Sequence, residues 1–200
     1  LMTIVSDIEL RGYDIDTDLA NQYADKLRKK SEKIYQDLQK TLLPAYIKHV
    51  KKNNENPPRK PWTDRDEPGK PIILDVPDEL NLNSPAQLKG AIEMYIGREI
   101  KDTNAKNTLK PLAKEFPVIA DLLEYREITK LLSTYYDALP QLINPKTGRI
   151  HTRLHQNGAK TGRFSSGGGG SFNIQNQSGD ARKMFVAPPG HYIVNADFAA

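Results

Sequence analysis

The sequence contains no cysteine. That excludes disulfides, thiolate metal ligands and a thiol nucleophile, and it fits a reducing interior. No apolar run approaches the roughly 20 residues that cross a bilayer, so no membrane partner is expected. No N-terminal segment joins basic residues to an apolar core and a cleavage site, and no signal peptide is expected. CxxC, HExxH and the phosphate-cradling GxxxxGK pattern are all absent, as are internal repeats and a recognisable Ser/His/Asp set. The most informative absence is of one sign of charge. From Ala138 to Gly179 there is no Asp or Glu, while the same stretch carries Lys146, Arg149, Arg153, Lys160 and Arg163, with His151 and His155. Mixed charge is the ordinary surface pattern, so a long one-sign segment suggests a polyanionic partner.

What is present is a water-facing chain of 200 residues, 38% apolar and 27% charged, with a net charge of +4. That length suits one large domain or two small ones. After an apolar N-terminal stripe, Gly12 marks a turn, and Asp16 or Thr17 can cap a helix. Ala20, Ala24, Leu27, Ile34, Leu38 and Leu42 then keep one helical face apolar. The other face, from Lys26 through Lys40, is basic and reads equally as a solvated face or as one that meets phosphates. Residues 51–77, rich in Pro, Asn and mixed charge around Trp62, read as an exposed loop or insertion. In "NLNSPAQLKGAIEMYI", Ser84 is an N-cap, Pro85 takes the first helical position and Gln87 completes a capping box. A short helix around residues 109–115 follows. Then comes a long one through "FPVIADLLEYREITKLLSTYYDALPQLI", buried at Ile119, Leu122, Ile128, Leu131, Leu132, Tyr135 and Leu139.

The character changes after Pro140. Short β patterns appear in "GRIHTRLHQ" and "HYIVNADF", the second an apolar run, Tyr192 to Val194, that leads to Asp197. A carboxylate at the end of a buried strand can hold a divalent cation, and Mg²⁺ takes a few carboxylate oxygens together with water and phosphates. One such Asp is also what a turn or a helix cap carries. "TGRFSS" and "NIQN" belong together. Arg163, Asn173, Gln175 and Asn176 can bond base edges, sugars or phosphates, and groups that reach the minor-groove acceptors check duplex geometry without reading sequence. Between them lies GGGGS, residues 167–171, which reads as a lengthened natural loop or as an engineered replacement.

The order of these motifs resembles family A DNA polymerases, the bacterial DNA polymerase I type and its phage relatives. "DIELRGYDID" is similar to the segment that opens the thumb, and "LNLNSPAQL" to F-N-I-N-S-P-x-Q-L. "LLEYREITKLLSTYYDALPQLINPKTGRIHTRLHQNGAKTGRFSS" resembles the thumb-to-palm stretch, "NIQN" the family's N-L-Q-N, and "ARKMFVAPPGHYIVNADFAA" the run into the first catalytic motif, D-Y-S-Q-I-E. The resemblance implies an α+β fold: a largely helical thumb over residues 1–140, with 51–77 as a loop-like insertion, followed by the first β strands of a palm over 141–200. It implies a template-directed DNA polymerase whose partners are primer–template DNA, dNTP and the remaining fingers and palm. Two Mg²⁺ ions would be held by Asp197, by the Phe198 carbonyl and by residues outside this chain. It implies that Arg163, Asn173, Gln175, Asn176, Arg153 and Gln156 face the duplex. Lys130, Ser133, Thr134 and Tyr135 would line the primer–template backbone, and Arg182 matches the Arg of the family's R-x-x-F.

Departures from the pattern qualify this. Phe198 replaces a Tyr, Leu132 stands where a thumb lysine often occurs, and His155 and Asn157 replace an Asn and a Thr. Phage relatives carry thumb insertions that bind processivity partners, so 51–77 is a candidate partner site. The sequence stops at Ala200, before the motif's Ile and Glu, and the 200 residues alone are expected to be inactive. A bacterial or phage-infected cytoplasm is the expected location. The alternative is a non-catalytic duplex-binding module, or one half of a split polymerase that needs a second chain.

Overall fold

A computed structural model of the chain describes residues 2–55, 73–168 and 172–194. It is α+β: helices joined by short turns, with two small two-stranded sheets. The chain forms two compact units, one from Leu1–Lys29 with Ile128–Ala200, the other from Lys30–Glu127. Among the described residues no helix is long and apolar enough to cross a membrane.

In the first unit, α1 (Met2–Arg11) ends at Gly12, whose φ of 65° favours glycine. A side chain at Gly12 would put its Cβ 2.7 Å from the Ile150 carbonyl oxygen. That close approach lets Tyr13 and Ile150 exchange backbone hydrogen bonds of 2.8 and 3.0 Å. β1 (Asp14–Ile15) then pairs antiparallel with β4 (Phe185–Val186), Asp14 opposite Val186. So the segment after α1 is stitched to residues more than a hundred positions away. Asp16, rather than Thr17, caps α2 (Thr17–Glu55): its Oδ1 accepts from the Leu19 N–H at 2.8 Å. The buried side of this unit includes Ala20, Ala24, Ile128, Leu132, Tyr136 and Ile150.

The second unit is built on one apolar cluster. It joins Leu38, Leu42 and Val50 of α2 with Leu88 and Ile92 of α3 (Pro85–Ile96), Leu109, and Ile119 and Leu122 of α5 (Pro117–Leu131). Ser84 caps α3 with a 3.4 Å bond from the Gln87 N–H. The Gln87 side chain does not close a capping box on Ser84, because the Ser84 N–H is already given to the Asn81 carbonyl at 3.0 Å. Gln87 Oε1 accepts instead from the Asn81 N–H at 3.0 Å. Two helix-borne amides also act as strand partners. Gln39 receives the Leu80 N–H at 2.8 Å and donates to the Leu80 carbonyl at 2.7 Å. Asn54 makes the same two bonds to Leu74, at 3.0 and 2.9 Å.

Four expectations are corrected. Residues 51–55 are the last turns of α2 rather than loop, because helical geometry brings Asn54 to Leu74; residues 56–72 lie outside the described residues. The short helix near 109–115 is a π turn, Ala105–Leu109, running into α4 (Lys110–Leu112). The long helix does not reach residue 142. α5 gives way to a π turn, Leu132–Tyr136, in which the Asp137 N–H donates to the Leu132 carbonyl at 2.9 Å. The extra residue in that turn buries Tyr136 against Tyr23, ring centroids 6.2 Å apart, and leaves Tyr135 half-buried. Finally, Tyr192, Ile193 and Val194 are not in a strand and stand 93%, 63% and 84% exposed. An apolar β-prone run becomes a strand only where a neighbour supplies its hydrogen bonds, and none of the described residues does so.

Candidate nucleic-acid interface

The first unit gathers most of the polar candidates around one hairpin. β2 (Leu154–His155) pairs antiparallel with β3 (Ser165–Ser166), and the ladder continues in a 3.0 Å bond from the Gly167 N–H to the Arg153 carbonyl. The turn between the strands is tight: a Cβ on Gly158 would lie 1.7 Å from Ser165 Oγ. Arg153, Lys160 and Arg163 are exposed along this hairpin, and no carboxylate among the described residues pairs with them. Gln156 lines a cleft of about 620 Å³ with Ser6, Glu9 and His155.

Beyond the hairpin, residues Ile174–Asn176 form a short 3-10 turn. Ser166 joins the two. Its hydroxyl, in a residue only 9% exposed, donates to Asn173 Oδ1 at 2.8 Å and accepts from the Gln175 N–H at 3.2 Å. The buried Thr152 hydroxyl donates to the Phe172 carbonyl at 2.6 Å, and Phe172 stacks on Phe185 at 5.8 Å. His155 Nε2 lies 2.9 Å from the Gly167 carbonyl. Gly167 has a φ of 100°, and a Cβ there would crowd the Asn173 Cβ at 3.2 Å. The start of the glycine run is therefore a fitted piece of this surface.

The end of α5 reaches the same place. The Tyr135 hydroxyl donates to the Asn176 carbonyl at 3.0 Å. Beside it, Lys130, Ser133 and Thr134 are exposed, with Ser133 Oγ donating to the Lys130 carbonyl at 3.4 Å. Arg182 is exposed on α6 (Gly179–Arg182), and no hydrogen bond or ion pair among the described residues joins its side chain to the group. Next to α6, burial first and the Asp180 carboxylate among the nearby groups raise the Tyr136 hydroxyl above its ordinary pKa. Asp197 and Phe198 lie outside the described residues. Among the described residues no three His, Asp or Glu gather as a metal site.

The acid-free segment is not acid-free in space. Arg149 pairs with Asp14 at 2.9 Å, and Glu9 accepts from the Leu154 N–H at 2.6 Å and, through its carbonyl, from His151 Nδ1 at 2.8 Å. Arg149 is thus taken up, and Lys146 and the basic residues of the hairpin are left without a carboxylate partner among the described residues. Sequence reasoning missed Ser166, Thr152 and His155 as the groups that hold this surface together. The two serines of "TGRFSS" were visible, but nothing local says which of them is the buried one.

Residues 69–200 match the model for DNA polymerase family A. The chain belongs to that family. This family A chain is 48% identical over 97 residues to DNA polymerase I of Chloroflexus aurantiacus, covering 46% of the chain and 10% of that protein. It is 38% identical over 132 residues to DNA polymerase I of Pseudomonas aeruginosa, covering 60% and 14%. To the thermostable DNA polymerase I of Thermus aquaticus it is 37% identical over 130 residues, covering 60% and 16%. The matched part thus spans 10% to 16% of these relatives' length. Among solved structures, the POL domain of Pol1 from M. smegmatis, in complex with DNA primer-template and dNTP, superposes with a TM-score of 0.58 at 23% identity. It covers 94% of this chain and 29% of that one. At that identity the likeness concerns the fold of the family A chain.

Proposed function

We propose that the chain is the thumb (residues 1–140) and the opening of the palm (141–200) of a template-directed DNA polymerase. In this reading the chain grips primer–template DNA while the remaining palm and fingers take up the dNTP. The observation that carries it is the donor-rich surface formed by the β2–β3 hairpin and the Ile174–Asn176 turn, tied to the end of α5 through Tyr135. Arg153, Lys160 and Arg163 neutralise phosphates or enter the minor groove. Asn173, Gln175 and Asn176 bond the sugar–base edge, Gln156 joins them at the hairpin, and Lys130, Ser133 and Thr134 follow the backbone beside Tyr135. Arg182 contributes charge from α6.

Asp197 and the Phe198 carbonyl would hold Mg²⁺ with a second carboxylate that these 200 residues do not bring. The support for this is the sequence motif. Bound there, the ions would lower the cost of charge at the primer 3′ oxygen and the α-phosphate. The chain's own task is to fix the duplex so that the 3′-OH meets that phosphate in line. A bacterial or phage-infected cytoplasm goes with this reading, as does a processivity partner at residues 51–77.

The test is duplex binding by fluorescence anisotropy across a salt series. Log affinity falls linearly with log salt, with a slope of about −0.9 per phosphate contact. Arg163→Ala weakens binding about tenfold. In the longer parent polymerase, Asp197→Ala abolishes nucleotide incorporation and leaves duplex affinity intact. Salt-independent binding, or an Arg163→Ala variant with wild-type affinity, overturns the reading.

A further inference from the structure

We propose that Ser166 is a positioning residue that turns the Asn173 side chain into a donor-only contact for the duplex. This rests on the duplex-binding reading given above. A primary amide is ambiguous: it offers an acceptor oxygen and two N–H donors, and it can flip between them. Ser166 removes the ambiguity. Its hydroxyl has one proton, and the Gln175 N–H already points at its oxygen from 3.2 Å. The proton is given to Asn173 Oδ1, 2.8 Å away. Ser166 is nearly buried, so this bond is sheltered from water. Asn173 is exposed, and with its oxygen occupied the amide has only the two Nδ2 protons left to offer.

The rest of the local backbone holds that choice. The Asn173 carbonyl is taken by Gln177 Nε2 at 2.5 Å, and Gly167 packs where any side chain would press on Asn173. Close by in sequence, Arg163 is also a group with donors and no acceptor. A surface that only donates suits a partner that only accepts. Duplex DNA offers two: the purine N3 and pyrimidine O2 atoms of the minor groove, common to all four base-pair orientations, and the phosphate oxygens. An acceptor-only match holds any sequence equally, and a mispair that moves N3 or O2 breaks it.

The experiment uses the 200-residue chain and three primer–template duplexes. One is unmodified, one carries 3-deazaadenine and 3-deazaguanine through the terminal turn, and one carries methylphosphonates there. Wild type binds one modified duplex about fivefold more weakly than the unmodified one, and which of the two names the acceptor. Ser166→Ala binds the unmodified duplex a few-fold more weakly and loses that discrimination, because the amide is free to turn. Asn173→Asp keeps the Ser166 bond but presents a carboxylate, so it also loses discrimination and binds at least tenfold more weakly. Circular dichroism melts of both variants separate a lost fold from a lost contact, and Asn173→Asp carries the test if Ser166→Ala does not fold. Discrimination by the folded variants equal to that of wild type overturns the proposal, as does a wild type indifferent to both modifications. A wild-type chain that binds no duplex overturns the underlying reading instead.

Discussion

His49 shows how a single side chain can be read through its neighbours. Its ring stacks on Tyr46 at 6.1 Å, and α3 can approach it only because position 90 is glycine: a Cβ there would lie 2.7 Å from the ring. Asn53 Nδ2 sits 2.9 Å from His49 Nε2, and an amide nitrogen can only donate, so Nε2 must be unprotonated. Burial pushes the imidazole below its ordinary 6.5; Glu93 pulls it back less strongly, and Lys52 adds a still smaller push down. A depressed histidine contributes stability that is complete above the unfolded value and is lost as pH falls below it, since the unfolded chain then binds more protons. The urea midpoint therefore drops as pH is lowered from above 6.5 toward the folded value. His49→Gln, which can still accept from Asn53, flattens that drop. The same pH slope in the variant rules the account out.

At the scale of elements, what was legible in the sequence was what is decided locally. The starts of α2 and α3 were readable because Asp16 and Ser84 act within one turn of themselves. The end of α5 was not, because the π turn at Leu132–Tyr136 is set by where Tyr136 packs. Nor was the fate of Tyr192–Val194, since strand formation depends on a partner. In the candidate site, the ordered motifs pointed to Arg163, Asn173 and Gln175, but the bonds that gather the last two run through Ser166, whose importance is a matter of burial. The amide clamps were also hidden, because a glutamine on a charged helix reads as surface. Gln39 is 8% exposed and satisfies both backbone groups of Leu80. Gln39→Leu leaves a buried N–H and a buried carbonyl unpaired, which costs about 3 kcal/mol. Chemical denaturation checks this, and a loss below about 1 kcal/mol means that water replaces the amide.

For the molecule as a whole, net positive charge is a poor guide to where DNA would lie. The basic face of α2, which the sequence left open between solvent and phosphate, is paired in part. Arg28 bonds Asp25 and Asp137, Lys30 reaches Glu124 at 2.5 Å, and Lys40 lies 3.8 Å from Asp37. Exposed pairs of this kind add little stability, but they do cancel charge, whereas no carboxylate among the described residues pairs with the basic side chains of the hairpin. The prediction at this scale is for residues 56–72. Replacing them with a short Gly/Ser linker leaves the melting temperature within about 4 °C of wild type. On the reading proposed above, the same replacement within a polymerase that carries this segment lowers processivity. Unchanged processivity disposes of the partner, and a collapsed melt disposes of the independence of the second unit from this segment.

The bonds between Asn54 and Leu74, residues 20 positions apart, have a consequence for how such a protein can change. They close the chain on itself at the foot of the interval, so the rest of the second unit meets the same two ends whatever runs between them. Doubling the length of a closed loop costs only about 0.6 kcal/mol. Lineages could therefore lengthen, shorten or exchange this interval one step at a time, each variant inheriting a folded frame. What such changes would have to keep is the pair of bonds that Asn54 makes to Leu74.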